Sequence, residues 1–204
     1  MSLRSCLRPP IPEIYEAARH LDLAVTAHLR GEYATAGELF RLADNKVVWN
    51  WTDSVWGKKS PYIQFRPVPN PLPEFSREQR SKPRDASTET KLLIHQRDGY
   101  YCRFCKIPVV RDDIRKRISK KYPDSVSWGK KNESQHAAFQ CMWAQYDHII
   151  PHARGGTSHI SNIFLTCAAC NYGRMSYTLE EVSLMHSDSH AIQDGPWDGL
   201  ERFR

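Results

Sequence analysis

The chain has 204 residues, 40% of them apolar and 25% charged, with a formal net charge of +6 and a pI of about 9.0. The basic balance tilts the expected partner towards a polyanion. No apolar run reaches the roughly 18 residues of a membrane span, and MSLRSCLRPPIPE lacks the apolar stretch of a signal peptide, so no membrane partner and a cytoplasmic, reducing compartment are expected.

Residues 11 to about 30 read as a helix. Pro12 suits a first turn, Ile14, Ala18, Leu21, Val25 and Leu29 recur at helical spacing, and Gly31 ends the run. Residues 32 to 43 repeat the pattern, giving a helical hairpin that either packs on the rest of the chain or docks a partner. Residues 47 to 65 hold Trp49, Trp51, Trp56, Tyr62 and Phe65 among lysines. Such aromatics either build core or stack on bases. Together residues 1–65 form an expected helical N-terminal region. Five prolines between Arg66 and Pro83 leave no regular element, so 66–86 is an extended linker on the surface.

A second unit is expected over 87–186. Residues 87 to 97 read as a helix capped by Ser87 or Thr88 with Leu92, Leu93 and His95 as its inward candidates, followed by a turn at Asp98-Gly99. An insertion, 106–146, carries a basic run: between Arg103 and Lys131 ten Lys or Arg face three Asp. Arg115, Lys116, Arg117, Lys120 and Lys121 lie on it and make either a solvated helix face or a phosphate-binding surface. Cys141-Met142-Trp143 leads a buried strand, and Thr178 onwards reads as a helix ending near His186. The tail, 187–204, is polar and has no readable role.

Four of the six cysteines fall into two Cys-x-x-Cys pairs, Cys102/Cys105 and Cys167/Cys170. Two-residue spacing lets both thiolates of a turn face one tetrahedral ion, and four thiolates leave no position for water. The expected zinc is therefore structural. Cys6 and Cys141 are left as free thiols.

Asp147-His148 ends an apolar run. A Gly155-Gly156 loop, Asn162 and Cys170-Asn171 follow, within YDHIIPHARGGTSHISNIFLTCAACNYGR. With RDGYYCRFC upstream, this stretch resembles the HNH endonucleases over roughly residues 88 to 185. The resemblance implies an α+β fold: a ββα-metal nuclease core with a four-cysteine zinc site, preceded by a helical N-terminal region. It further implies His148 as general base, Asp147 and Asn171 as ligands of a catalytic Mg²⁺ or Mn²⁺, and Asn162 as the brace of the two-strand loop. Arg154 and Arg174 would touch phosphate. An imidazole suits the base role because it titrates near working pH, and one carboxylate with one amide carbonyl suits Mg²⁺. DNA is the implied substrate, RNA the alternative, and a non-catalytic zinc-ribbon binding module the reading from another class. By analogy alone, small proteins of this kind serve in restriction or antiviral (antiphage) defence, sometimes with an ATPase or other defence-system partner, or in homing and mobile elements. One site cuts one strand per event, so the enzyme either nicks or makes a double-strand break as a homodimer or by rebinding.

Overall fold

The computed structural model describes residues 2–185 and 195–204. Its centre is an antiparallel pair, β1 (Ala144–His148) and β2 (Ile163–Cys167), in a register that places Ala144 opposite Cys167 and His148 opposite Ile163. Every residue of β2 is buried, so β2 is the inner strand. A short helix, α7 (Ala168–Arg174), leaves β2 directly with Cys167 as its N-cap. This ββα unit carries the candidate site, and the fold is α+β.

The N-terminal region is three helices. In α1 (Pro12–Leu29) the buried residues Ile14, Ala17, Ala18, Leu21, Ala24 and Val25 form one apolar stripe. Gly31, at φ +79, reverses the chain into α2 (Tyr33–Ala43); that left-handed conformation costs a residue with a Cβ more than it costs glycine. The third, α3 (Lys46–Ser54), occupies part of the aromatic stretch where only core or stacking aromatics were expected. Asn45 caps it by accepting the Val47 amide at 2.8 Å, and Val48, Trp51 and Thr52 recur on its buried side. α3 packs against α6 (Ala137–Cys141), which leads through Met142 and Trp143 into β1. One hydrophobic cluster runs from Leu7 and Ile14 through Phe40, Trp51, Phe139 and Leu165 to Phe203.

Before the sheet stand α4 (Thr88–Asp98) and α5 (Asp112–Lys121). Ser87 caps α4 by accepting the Thr90 amide at 3.0 Å. Its inward face holds His95 as expected but not Leu92 and Leu93. Ile94, His95 and Asp98 are buried, whereas Leu92 and Leu93 are exposed by 44% and 45%. Asp98 explains the rotation: its carboxylate takes two bonds from Arg97 at 2.7 Å and the Leu165 amide at 3.2 Å, pinning the helix end to β2. A buried carboxylate needs such partners.

His95 stacks on Tyr100 at 4.6 Å, with Nε2 3.0 Å from the Tyr146 hydroxyl and Nδ1 3.0 Å from the Gly99 carbonyl. Burial pushes its pKa from 6.5 down to about 4, against the pull of the Gly99 carbonyl. The unfolded chain therefore takes up a proton that the folded one refuses. His95 contributes fully above about pH 6.5, and that contribution falls away between pH 6.5 and 4, by roughly 3 kcal/mol. In urea unfolding from pH 7 to 4, His95→Gln should lose less stability than the wild type by about that amount. Equal acid sensitivity of the two proteins would refute it.

Two expectations for the C-terminal part change. The helix expected from Thr178 is a single turn among the described residues. Thr178 and Glu181 cap each other's amides at 2.8 and 3.2 Å, then Ser183 at φ +54 turns the chain and Leu184 pairs with Arg4; His186, its expected end, lies outside the described residues. The polar tail has a packing role over 195–204. Leu200 and Phe203 are buried, Phe203 stacks on His28 at 4.5 Å, and the Trp197 indole donates to the Val109 carbonyl at 2.9 Å. No described helix is long and apolar enough to cross a membrane.

Candidate active site and metal centre

Cys102, Cys105, Cys167 and Cys170 are buried, and their sulfurs all lie within 4.8 Å of one another. Zn–S bonds of about 2.3 Å set tetrahedral edges of about 3.8 Å, so the cluster needs little contraction to hold a metal such as zinc. The first knuckle is preformed by its backbone. The Lys106 amide donates to the Cys102 carbonyl at 3.0 Å, the Cys102 amide to the Ile107 carbonyl at 2.9 Å, and Lys106 takes φ +65 to let the chain turn under the site. The second knuckle straddles the junction of β2 and α7. The metal would thereby tie the start of the unit to its last helix.

The loop from β1 to β2 hangs on Asn162. Its amide oxygen accepts the Ile150 amide at 2.9 Å, and its nitrogen donates to the carbonyls of Ile150 at 3.2 Å and Thr157 at 2.8 Å. A Cβ on Gly156 would stand 1.8 Å from the Ile150 carbonyl oxygen and 2.8 Å from the Asn162 amide nitrogen. Because the nearer obstacle is backbone, the loop cannot yield cheaply. Gly156→Ala should destabilise the protein by about 1–3 kcal/mol with zinc retained; an unchanged urea midpoint would contradict this.

At the end of β1, Asp147 and His148 point differently. Asp147 is buried against Arg174, whose Nε and Nη2 meet its two oxygens at 2.9 and 2.5 Å. Burial pushes the Asp147 carboxyl up, and the guanidinium opposes that push. His148 is half-buried, with Nε2 3.0 Å from Ser158 Oγ. That hydroxyl in turn lies 2.6 Å from the Arg84 carbonyl and 3.0 Å from that of Pro83. Its one proton goes to a carbonyl, so Nε2 is the donor to Ser158 and Nδ1 keeps the lone pair. Burial first, then the charges of His152, Arg174 and Arg84, lower the His148 pKa to about 4. Its imidazole is neutral at pH 7.

Asn171, in the first turns of α7, donates through Nδ2 to Gln145 Oε1 at 3.2 Å, which leaves its carbonyl oxygen as the outward acceptor. Asp147, His148 and Asn171 line one cavity of about 280 Å³. His148 and Asn171 also line a larger one, about 740 Å³, between β1, α4 and the start of α5. The donor set fits a hard divalent cation: each Asp147 oxygen has a second lone pair beside the one facing Arg174, and the Asn171 carbonyl shares its cavity.

Residues 138–186 match the model of the HNH endonuclease family. Over this stretch the chain is similar to the HNH endonucleases. The match spans β1, the braced loop, β2 and α7, and the four-cysteine cluster adds the expected metal centre. Searches among curated proteins and among solved structures return no match to the chain.

Around this stretch, most of the arginines and lysines singled out in the sequence are engaged elsewhere. Arg174, expected to touch phosphate, is 1% exposed, and besides Asp147 it donates to the carbonyls of His148, Ile149 and Tyr177. Arg154 pairs with buried Glu181 at 3.1 Å and donates to the carbonyls of Ser176 and Leu72. Arg115 is buried, paired with Asp112, its guanidinium 3.8 Å over the Trp128 ring. These three are structural cations, because a buried charge is stable only when paired. Lys116, Arg117, Lys120 and Lys121 are exposed on α5, but none of the four lines either cavity. The basic groups at the clefts are Arg80, Arg84, Lys91 and Arg111. The first two come from the proline-rich stretch, whose cluster of Arg77, Arg80, Lys82 and Arg84 was the available signal.

Proposed function

We propose that the chain is a metal-dependent endonuclease that hydrolyses DNA phosphodiester bonds. The observation that carries this reading is the convergence of Asp147, His148 and Asn171 on one cavity at the end of the ββα unit. A zinc-binding module without activity would need none of the three there. In the proposed reaction His148 Nδ1 removes a proton from the water that attacks phosphorus, the bond to the 3′ oxygen breaks, and that oxygen takes a proton from a second water. The products are 5′-phosphate and 3′-hydroxyl ends. Asp147 and Asn171 would hold a Mg²⁺ or Mn²⁺ ion, which supplies charge stabilisation for the pentacoordinate phosphorus and the leaving oxygen. Arg174 opposes the effect of burial on Asp147 and aims its carboxylate, Gln145 orients Asn171, and Ser158 orients His148.

The zinc bound by the four cysteines is structural in this proposal, since its sulfur shell is complete. One such site cuts one strand at a time, so a double-strand break needs a second copy or a second encounter. A role in restriction or antiviral defence beside a partner ATPase rests on fold analogy alone.

The test is conversion of supercoiled plasmid to nicked or linear DNA by zinc-loaded protein with Mg²⁺ or Mn²⁺, and its loss on adding EDTA at constant zinc content. Cleavage of RNA but not of plasmid would replace DNA by RNA as the substrate. Inactivity on both would remove the enzymatic reading.

A further inference from the structure

Beside His148, Asn171 and Gln145, the larger cavity is lined by aromatic groups that phosphodiester hydrolysis does not use. Trp143, Gln145 and Tyr146 form its β1 side, and Tyr172 stands at the end nearest Asn171. Tyr172 is 41% exposed although it is a large aromatic. It is held in place from behind, edge-on to Trp56 at 5.5 Å and tilted against Trp143 at 6.4 Å. Trp143 is itself fixed edge-on to Trp128 at 5.8 Å, the ring covered by Arg115. Two braced rings therefore face an open pocket that begins at the catalytic histidine.

Charge is divided along the pocket. Arg84 lines both this cavity and the smaller one at Asp147, which puts a cation where a phosphate bound at His148 would lie. Asp112 and Asp113 line the larger cavity from the start of α5, Asp112 paired with Arg115 and Lys116 and Asp113 with Arg111; their remaining lone pairs can accept exocyclic base amines. A volume of about 740 Å³ is within the range of small-ligand pockets. In an intact duplex each base is covered above and below and its edge is paired, so it cannot enter such a pocket without leaving the stack.

We infer that this cavity is a nucleobase pocket, taking an unpaired base next to the scissile phosphate and stacking it on Tyr172 and Trp143, so that the substrate strand is single-stranded or locally unpaired. The inference rests on the proposed endonuclease reading and narrows its substrate. Base–aromatic stacking contributes about 5- to 150-fold in affinity per base.

The test uses full-length, zinc-loaded His148→Ala protein and three fluorescent DNA probes of one sequence: a single strand, a perfect duplex, and a duplex with a two-nucleotide mismatch. The single strand and the mismatched duplex are expected to bind at least about tenfold more tightly than the perfect duplex. Adding Tyr172→Ala should weaken those two probes about 5- to 150-fold and leave the perfect duplex unchanged, while Tyr172→Phe keeps the discrimination. With His148 restored, supercoiled plasmid should be cut faster than the same plasmid relaxed. Equal affinity for all three probes, or a Tyr172→Ala loss shared equally by them, overturns the base pocket while plasmid cleavage leaves the endonuclease reading intact. Absence of cleavage on every DNA form would instead overturn both.

Discussion

Replacing His148 with alanine is expected to slow plasmid nicking about 10²–10⁴-fold at unchanged zinc content and far-UV circular dichroism. The imidazole sits on the last residue of β1 and lines both cavities, so its removal enlarges solvent-connected space and leaves the core untouched. What is lost is a proton acceptor of fixed tautomer. Ser158 Oγ takes the Nε2 proton at 3.0 Å, and the carbonyls of Pro83 and Arg84 hold Ser158 in turn. A neutral ring with Nδ1 unprotonated is therefore ready before substrate arrives. Time courses of supercoiled, open-circular and linear DNA, with metal analysis of both proteins, measure the effect. Nicking undiminished in His148→Ala would transfer the base role to another group.

Cys170→Ser is expected to remove the zinc and unfold the region around β2 and α7. Structural zinc contributes about 10–16 kcal/mol of apparent binding free energy in small domains, comparable to or larger than the roughly 5–15 kcal/mol net stability of a typical protein. Here the ligands sit at Cys102 and Cys105 before the sheet and at Cys167 and Cys170 at its exit, so the ion closes a loop across the whole unit. With a cysteine gone, the remaining buried sulfurs revert to neutral thiols that no longer crosslink the two knuckles, around a hole that the neighbours, already close-packed, cannot fill. The measurements are zinc per chain and thermal unfolding, with a strong chelator acting on the wild type as the parallel arm. A Cys170→Ser protein with unaltered zinc and melting temperature would show that the cluster is only four packed thiols.

Much of the site could be read from the chain because its parts are local. Two Cys-x-x-Cys pairs announce a tetrahedral sulfur site, since two-residue spacing alone turns both thiols to one side. Asp147-His148, Asn162 and Asn171 mark a strand end, a braced loop and a helix start within 25 residues, too short a stretch for intervening elements to rearrange. The helices over residues 12–29 and 33–43 follow from their apolar spacing for the same reason.

What the chain determined by itself, then, is the set of candidate side chains and the local turns that carry them. Tertiary structure alone decided which cations are buried, because charge is visible in a sequence and its partner is not. Arg174 meets Asp147 across 27 residues of chain, and Arg154 meets Glu181 across an equal separation, so both are structural. It also decided that the proline-rich stretch lies beside the site. Backbone groups that cannot pair within an extended segment bond instead to the loop, the Phe75 amide to Ala153, the Ser81 carbonyl to His152 and the Arg84 carbonyl to Ser158, and the Ser81 hydroxyl adds a bond to the Gly156 carbonyl. Those bonds bring Arg84 to His148, a meeting set by unsatisfied backbone groups and not by any local pattern.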